Sequence, residues 1–350
     1  MTIYISHLSA LDFWLDAKHT ASIGAPSDFL APEMSATTLQ LVTPNQNLIR
    51  AHALDAPPQG MPLEQLARIG IDTTGLHLLV DMDAPRLRRP GIAGHRCSNE
   101  LPAGSFVSIG DDLCVASPEL CFVQLAALLP LCTLIEIGYL FCATHTPGNP
   151  LTRKAGKRTP ITCVESISAF VDEVPGMHGA KSARAALRYV RDNSRSLMET
   201  ALSMSLTLPK SLGGHALPLP QLNTEIKVDG SDRLYTQRDH LVADLFWPEY
   251  LLDVEYDSDD EHIDEPQRAL DANRPVILEK LGIRLITVTR TQMRSMQGFR
   301  IVERAIRDAM GKRPRKPEPE ADHRRQKLRD KLMWPWHTRY AQWREARKSR

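Results

Sequence analysis

Apolar and polar positions in the second half of the chain predict a mixed β-sheet covered by helices. Four short apolar runs have the length and composition of buried strands, and they lie at residues 224–228, 241–246, 251–256 and 283–289. Helical spacing of apolar residues precedes them at residues 194–206 and follows them at residues 291–310. We therefore expect a C-terminal α/β domain with a mixed sheet flanked by helices.

The first half of the chain shows a less regular α/β pattern. Residues 62–70 are expected to form a short helix, residues 76–82 a buried strand and residues 38–43 a further strand. Gly and Pro divide residues 86–116 in the manner of short strands joined by turns. This pattern predicts a separate N-terminal α/β domain.

A nearly continuous apolar run at residues 118–143 is long enough to suggest a membrane span. Pro130 divides it into two segments of about three turns, and each segment is too short to cross a bilayer. Ser117 followed by Pro118 is typical of a helix N-terminus. The run therefore predicts two buried helices, and we expect no membrane partner.

The length of 350 residues favours two domains. We expect an N-terminal domain, a linker with basic helices, a sheet-containing domain and a tail, at residues 1–143, 144–192, 193–311 and 312–350. The net charge of +1 hides an asymmetry, because residues 311–350 contain fourteen Lys or Arg against five Asp or Glu. A basic, aromatic-containing tail suits a polyanionic partner such as DNA; a solvated tail, or aromatic residues docked on the body, are the alternatives.

The six cysteines of the chain include no C-x-x-C pair. They are expected to be reduced structural thiols in a cytoplasmic protein. The first twenty residues also lack the charged and apolar blocks of a signal peptide.

Two acidic residues interrupt neighbouring strands of the predicted C-terminal sheet. Asp244 lies in the second apolar run and Glu255 near the end of the third, so a hairpin would bring their side chains together. Ionised carboxylates in an apolar sheet are unfavourable unless a cation or hydrogen-bond donors meet them. Alternation along the third run puts Asp253, Glu255 and Asp257 on one acidic face. The oxygens of Asp244 and Glu255 together suit a hard cation such as Mg²⁺ or Mn²⁺.

The acidic strands belong to a longer series of motifs. Along the chain the series runs through a helix with Glu199, the strand with Asp244, the turn Glu255-Tyr256-Asp257, His262, and a helix over Asp271–Gly282 that carries Arg274. This order resembles the PD-(D/E)xK nuclease superfamily, and more narrowly its branch similar to very-short-patch-repair endonucleases. The resemblance implies a restriction-endonuclease-like domain that hydrolyses phosphodiester bonds in DNA with a bound Mg²⁺ or Mn²⁺. The chain departs from the superfamily at Asp257, which stands in the place of a Lys.

The resemblance also implies a role for each matching residue. Catalytic roles fall on Asp244, Glu255, Asp257, His262 and Arg274, and metal-binding roles on Asp244, Glu255 and Glu199. His262 would accept a proton, and Asp257 would act as a further metal ligand, because a carboxylate cannot replace the charge of a Lys. Two readings remain open for Arg274, which either steadies the scissile phosphate or pairs with Asp271. Glu199 either reaches the metal or is an exposed helix residue.

A basic stripe precedes the nuclease-like segment. Lys181, Arg184, Arg188 and Arg191 follow one another at helical separations, which puts four cations on one face of a predicted helix. Such a stripe either follows the DNA backbone or is a solvated surface. Residues 60–190 resemble AbiEi-like antitoxin or regulator modules, which implies the alternative function of a non-catalytic DNA-binding regulator with a degenerate nuclease fold.

Overall fold

The structure is a computed structural model of the chain. It describes residues 2–16, 62–81, 90–97, 100–110, 112–147, 156–228, 230, 233–236, 239–257, 273–314, 316 and 318–348. The fold is mixed α/β with two mixed sheets. The chain divides into two compact units, of which the first holds residues up to Asp192 together with the end of the chain from Tyr340, and the second holds Asn193–Arg339. The predicted strand at residues 38–43 lies outside the described residues.

The first unit contains a five-stranded sheet in the order β3-β2-β1-β5-β4. Its strands are β1 (Ile3–Ile5), β2 (Leu76–Asp81), β3 (Ile92–Cys97), β4 (Phe106–Gly110) and β5 (Leu113–Ala116). Strand β1 runs parallel to β5 and antiparallel to β2, while β2 and β3 are parallel. The described helices are α1 (His7–Leu15), α2 (Leu63–Arg68), α3 (Pro118–Ala126), α4 (Leu131–Cys142), α5 (Val164–Glu173) and α6 (Ala180–Leu187).

The long apolar run forms two buried helices, as its sequence predicts. Helix α3 begins after Ser117, whose hydroxyl accepts a hydrogen bond from the Leu120 amide at 3.2 Å, and α4 begins after Pro130. Every residue of α4 from Leu134 to Cys142 is buried. In the described part of the chain, no helix is long and apolar enough to cross a membrane.

Residues 164–187 belong to the body of the first unit rather than to a linker. Helix α5 buries Ile167, Phe170 and Val171, the three residues that the sequence places on its inner face. Helix α6 buries Ala180, Ala183, Ala186 and Leu187 against the same unit. The small side chains of α6 allow close helix packing. Because alanines alternate with charged residues along this helix, its buried face is not evident from the sequence.

The second unit contains a four-stranded sheet in the order β6-β7-β8-β9. Its strands are β6 (Gln221–Lys227), β7 (His240–Trp247), β8 (Leu252–Asp257) and β9 (Arg284–Thr289). The first three are antiparallel, and β9 runs parallel to β8 because α9 (Arg274–Lys280) provides a crossover between them. The other helices are α7 (Leu197–Thr207), α8 (Arg233–Thr236), α10 (Arg290–Arg294), α11 (Met296–Ala309) and α12 (Pro319–Met333).

The core of the second unit is built on the predicted apolar runs. Leu241 and Ala243 of β7 cluster with Ile277 and Leu278 of α9 and with Ile283 at the start of β9. Helix α7 packs on β7 and β8, and α11 packs on β9. The sheet is therefore covered by helices that flank it in sequence, as predicted.

A Ser cap and a proline shape two predicted helices of the second unit. The helix predicted over residues 291–310 is divided at Ser295, whose hydroxyl caps α11 by accepting from the Gly298 amide at 3.0 Å. The described part of the Asp271–Gly282 helix begins at Arg274, because Pro275 occupies its first turn. Gly282 ends it with a φ of 73°.

The predicted basic tail is part of both units. Helix α12 buries Leu328 and Leu332 in the second unit, and helix α13 (Trp336–Lys348) carries the chain back to the first. There the Tyr340 hydroxyl donates to Asp12 Oδ1 at 2.8 Å, and Arg344 pairs with the same carboxylate. The positive charge of this segment is thus partly used in internal ion pairs, which net-charge counting could not reveal.

Candidate acidic site of the second unit

A row of polar residues crosses the four-stranded sheet. Strand β6 pairs with β7 in a register that puts Asn223 opposite Asp244, since Leu222 pairs with Leu245 and Thr224 with Ala243. Extending the β7–β8 register by one residue beyond its last pair, Leu245 with Val254, places Asp244 opposite Glu255. The row therefore brings the two predicted carboxylates together at the middle of the sheet.

Asp244 is partly buried between strands that separate at this point. Its Oδ2 accepts a hydrogen bond from the Tyr256 amide at 3.0 Å. Burial, followed by the charges of Glu199 and Glu255, raises the pKa of Asp244 to about 7. Asn223, opposite Asp244 in the β6–β7 register, donates to the Glu199 carboxylate, so this carboxylate belongs to the same row.

Glu199 is a buried residue of the first turn of α7, only 7% exposed, so the reading of an exposed helix residue is wrong. Its Oε2 accepts hydrogen bonds from the Arg195 amide at 2.9 Å and from Asn223 Nδ2 at 2.6 Å. Burial raises its pKa, and these hydrogen bonds oppose the rise. Ser196 caps the helix by accepting from the Glu199 amide.

Arg274 enters the acidic site from the start of α9. Its guanidinium pairs with Glu255, lies 3.4 Å from Asp253 Oδ2 and donates to the carbonyl of Val242. Asp253 is fully buried, and burial together with the neighbouring Glu255 raises its pKa to about 9. Arg274 thus brings a cation to both Glu255 and Asp253.

The three acidic residues on the predicted face of β8 differ in solvent exposure, which increases along the strand. Asp253 is buried, Glu255 is partly buried and Asp257 is exposed at the end of the strand. Asp257 is therefore on the open side of the row, in a position that solvent reaches. His262 and Asp271 lie outside the described residues.

The predicted basic stripe is shorter than its sequence suggests. Lys181, Arg184 and Arg188 are exposed, but α6 ends at Leu187, so Arg191 lies beyond the helix. Arg184 pairs with Asp172 at 2.8 Å. The sequence prediction of four cations on one helical face is therefore wrong, because the chain turns after Leu187.

The donors of the acidic site fit a hard divalent cation in their chemistry. Glu199, Asp244 and Glu255 offer carboxylate oxygens, which Mg²⁺ and Mn²⁺ prefer. A cation would offset the burial and the neighbouring charges that raise the pKa of Asp244. As they are arranged, no three acidic, His or Cys side chains among the described residues form a metal-binding group. Cation binding would therefore require Glu255 to be shared with, or released by, Arg274.

Asn223 is the site residue that sequence reasoning missed. It lies just before the predicted strand at residues 224–228, and Asn is a poor strand former. The S-x-x-E spacing of Ser196 and Glu199, typical of a capping box, was a signal that could have located both the helix start and the buried Glu.

Comparison with known proteins finds no family model, no curated protein and no solved structure that matches this chain.

Proposed function

We propose that the second unit is a metal-dependent nuclease-like domain that hydrolyses phosphodiester bonds in DNA. The observation that carries the proposal is the meeting of Glu199, Asp244 and Glu255, which come from a helix and two neighbouring strands. The order of these elements, followed by the helix with Arg274, is the order that the nuclease resemblance implies. The oxygens of these three carboxylates suit a hard divalent cation, which would share Glu255 with Arg274.

In this proposal each residue of the chain has a separate task. Asp244 and Glu255 bind the cation from adjacent strands, and Glu199 completes the oxygen donors from α7. A bound Mg²⁺ or Mn²⁺ would activate water and neutralise charge on the phosphate. Arg274, the cation already among these carboxylates, is placed to contact a phosphate oxygen when Glu255 turns to the metal.

A non-catalytic DNA-binding regulator is the second candidate, and the ion pairs of Arg274 favour it. The guanidinium already compensates Glu255 and lies beside Asp253. Asp257, at the position where the resemblance expects a Lys, adds negative charge on the exposed side of the site. Under this hypothesis the ion pairs of Arg274 stabilise the acidic row, and the row binds no metal ion.

Manganese titration of the full-length protein separates the two candidates. The nuclease proposal expects saturable Mn²⁺ binding, measured by calorimetry, that Asp244→Asn abolishes, together with cleavage of plasmid DNA that is lost in the same variant. Glu225→Gln is the matched control, because Glu225 is an exposed carboxylate on neighbouring β6. DNA binding without Mn²⁺ binding in the unmodified protein would support the regulator instead.

A further inference from the structure

Asn223 has an unusual backbone for a residue inside a strand. Its φ is +50°, in the left-handed region that residues other than Gly rarely adopt and that Asn tolerates best. The β6–β7 register is the same on both sides of it, so no extra residue explains the conformation. Strained residues of this kind concentrate at functional sites.

The side chain of Asn223 connects β6 to the start of α7. Nδ2 donates to Glu199 Oε2 at 2.6 Å and to the carbonyl of Asn193 at 2.8 Å. Two hydrogen bonds of the Glu199 carboxylate, from Asn223 and from the Arg195 amide, fall on Oε2, and the Ser196 side chain gives the same carboxylate a third. Asn223 is the one of these three donors that comes from the sheet.

We propose that Asn223 is a positioning residue that holds the Glu199 carboxylate beside Asp244, so that both can bind the same divalent cation. This inference rests on the proposed function. Residues that donate hydrogen bonds to a metal ligand fix its orientation, and their loss typically lowers metal affinity about 10- to 100-fold. The left-handed backbone serves this task by directing a short amide from the strand toward the helix.

A structural role for Asn223 is the competing explanation, since Glu199 also belongs to the N-terminal cap of α7. Two substitutions separate the roles. Asn223→Gly removes the amide and relieves the positive φ. Asn223→Ala removes the same amide but keeps the unfavourable backbone, which destabilises an L-residue in this conformation. The two variants thus share the lost contact and differ in stability.

The experiment measures Mn²⁺ affinity from the electron paramagnetic resonance signal of free Mn²⁺, and stability by urea denaturation in chelator, for full-length proteins. We expect Asn223→Gly to be more stable than Asn223→Ala, and both to bind Mn²⁺ about 10- to 100-fold more weakly than the unmodified protein. Thr224→Ala, at the next position of β6, is the control that should retain the affinity.

Mn²⁺ affinity that follows stability, with Asn223→Gly close to the unmodified protein, would overturn the positioning role and leave the proposed function intact. An unmodified protein that binds no Mn²⁺ would overturn the proposed function and the role of Asn223 together. These two failures are distinguished by the first titration, before any variant is measured.

Discussion

Replacing Asp244 by Asn should stabilise the second unit in the absence of metal, by an amount that grows as pH rises from 3.8 to about 7. The raised pKa of about 7 means that the folded protein holds a proton on Asp244 which the unfolded chain releases near its ordinary value of 3.8. Stability from this carboxyl is therefore complete below pH 3.8 and is lost as pH rises through 7. Asn carries no charge and can still accept the Tyr256 amide.

The size of this effect follows from the same pKa. A rise from 3.8 to about 7 corresponds to about 4 kcal/mol at pH 8, as an upper value. Because Asp244 is partly exposed, solvent screens part of the repulsion, and we expect a gain of about 2 kcal/mol for the variant. Near pH 4 the two proteins should be almost equally stable.

Urea denaturation at pH 4.5 and pH 8, in chelator, measures the difference directly. Trp247 is fully buried at the end of β7 and contributes a fluorescence signal from the second unit. Glu225→Gln should change little at either pH, since that carboxylate is exposed. A gain of equal size at both pH values, or none at pH 8, would show that burial and the neighbouring carboxylates do not raise the pKa of Asp244.

Three further outcomes follow from the ion pairs and buried groups. Arg274→Met should destabilise the second unit by about 3–5 kcal/mol in urea, because it leaves Glu255 without its cation; an unchanged midpoint would contradict this, and Arg274→Lys should recover part of the loss. Arg344→Leu should lower the melting temperature of the first unit, because the Asp12 carboxylate then remains buried and unpaired, while exposed Arg304→Leu should not. Burial lowers the pKa of His145 to about 4. The unfolded chain therefore takes up a proton before the folded protein does, and about 3 kcal/mol of stability is lost as pH falls from 6.5 toward 4. His145→Gln should make the free energy of unfolding less dependent on pH in this range.

The apolar pattern predicted the second sheet well, because each of its strands carries its own run of buried side chains. The pairing of the two strands that carry Asp244 and Glu255 could be predicted for the same reason, since a short hairpin connects them. The sequence could not predict that Asp253 is buried and Asp257 exposed, because alternation assigns both to one face. That difference depends on what covers each end of the strand.

The contacts of Arg274 and Asn223 could not be predicted from the sequence for another reason. Arg274 contacts Glu255 only because the crossover between β8 and β9 brings the start of α9 next to β8. Asn223 contacts Glu199 although the two residues are 24 positions apart in the chain. Neither contact leaves a local pattern in the sequence. The ends of helices α6 and α11 were likewise missed, because tertiary packing and a Ser cap, rather than apolar periodicity, determine them.

The return of α13 to the first unit makes the second unit an insertion in the chain. Residues that complete the first unit are separated by the whole of Asn193–Arg339, so a ribosome releases Arg344 only after the second unit has been synthesised. Until then the Asp12 carboxylate lacks the cation that pairs with it. The second unit can therefore fold during synthesis, whereas the first is completed only after Arg344 has been synthesised.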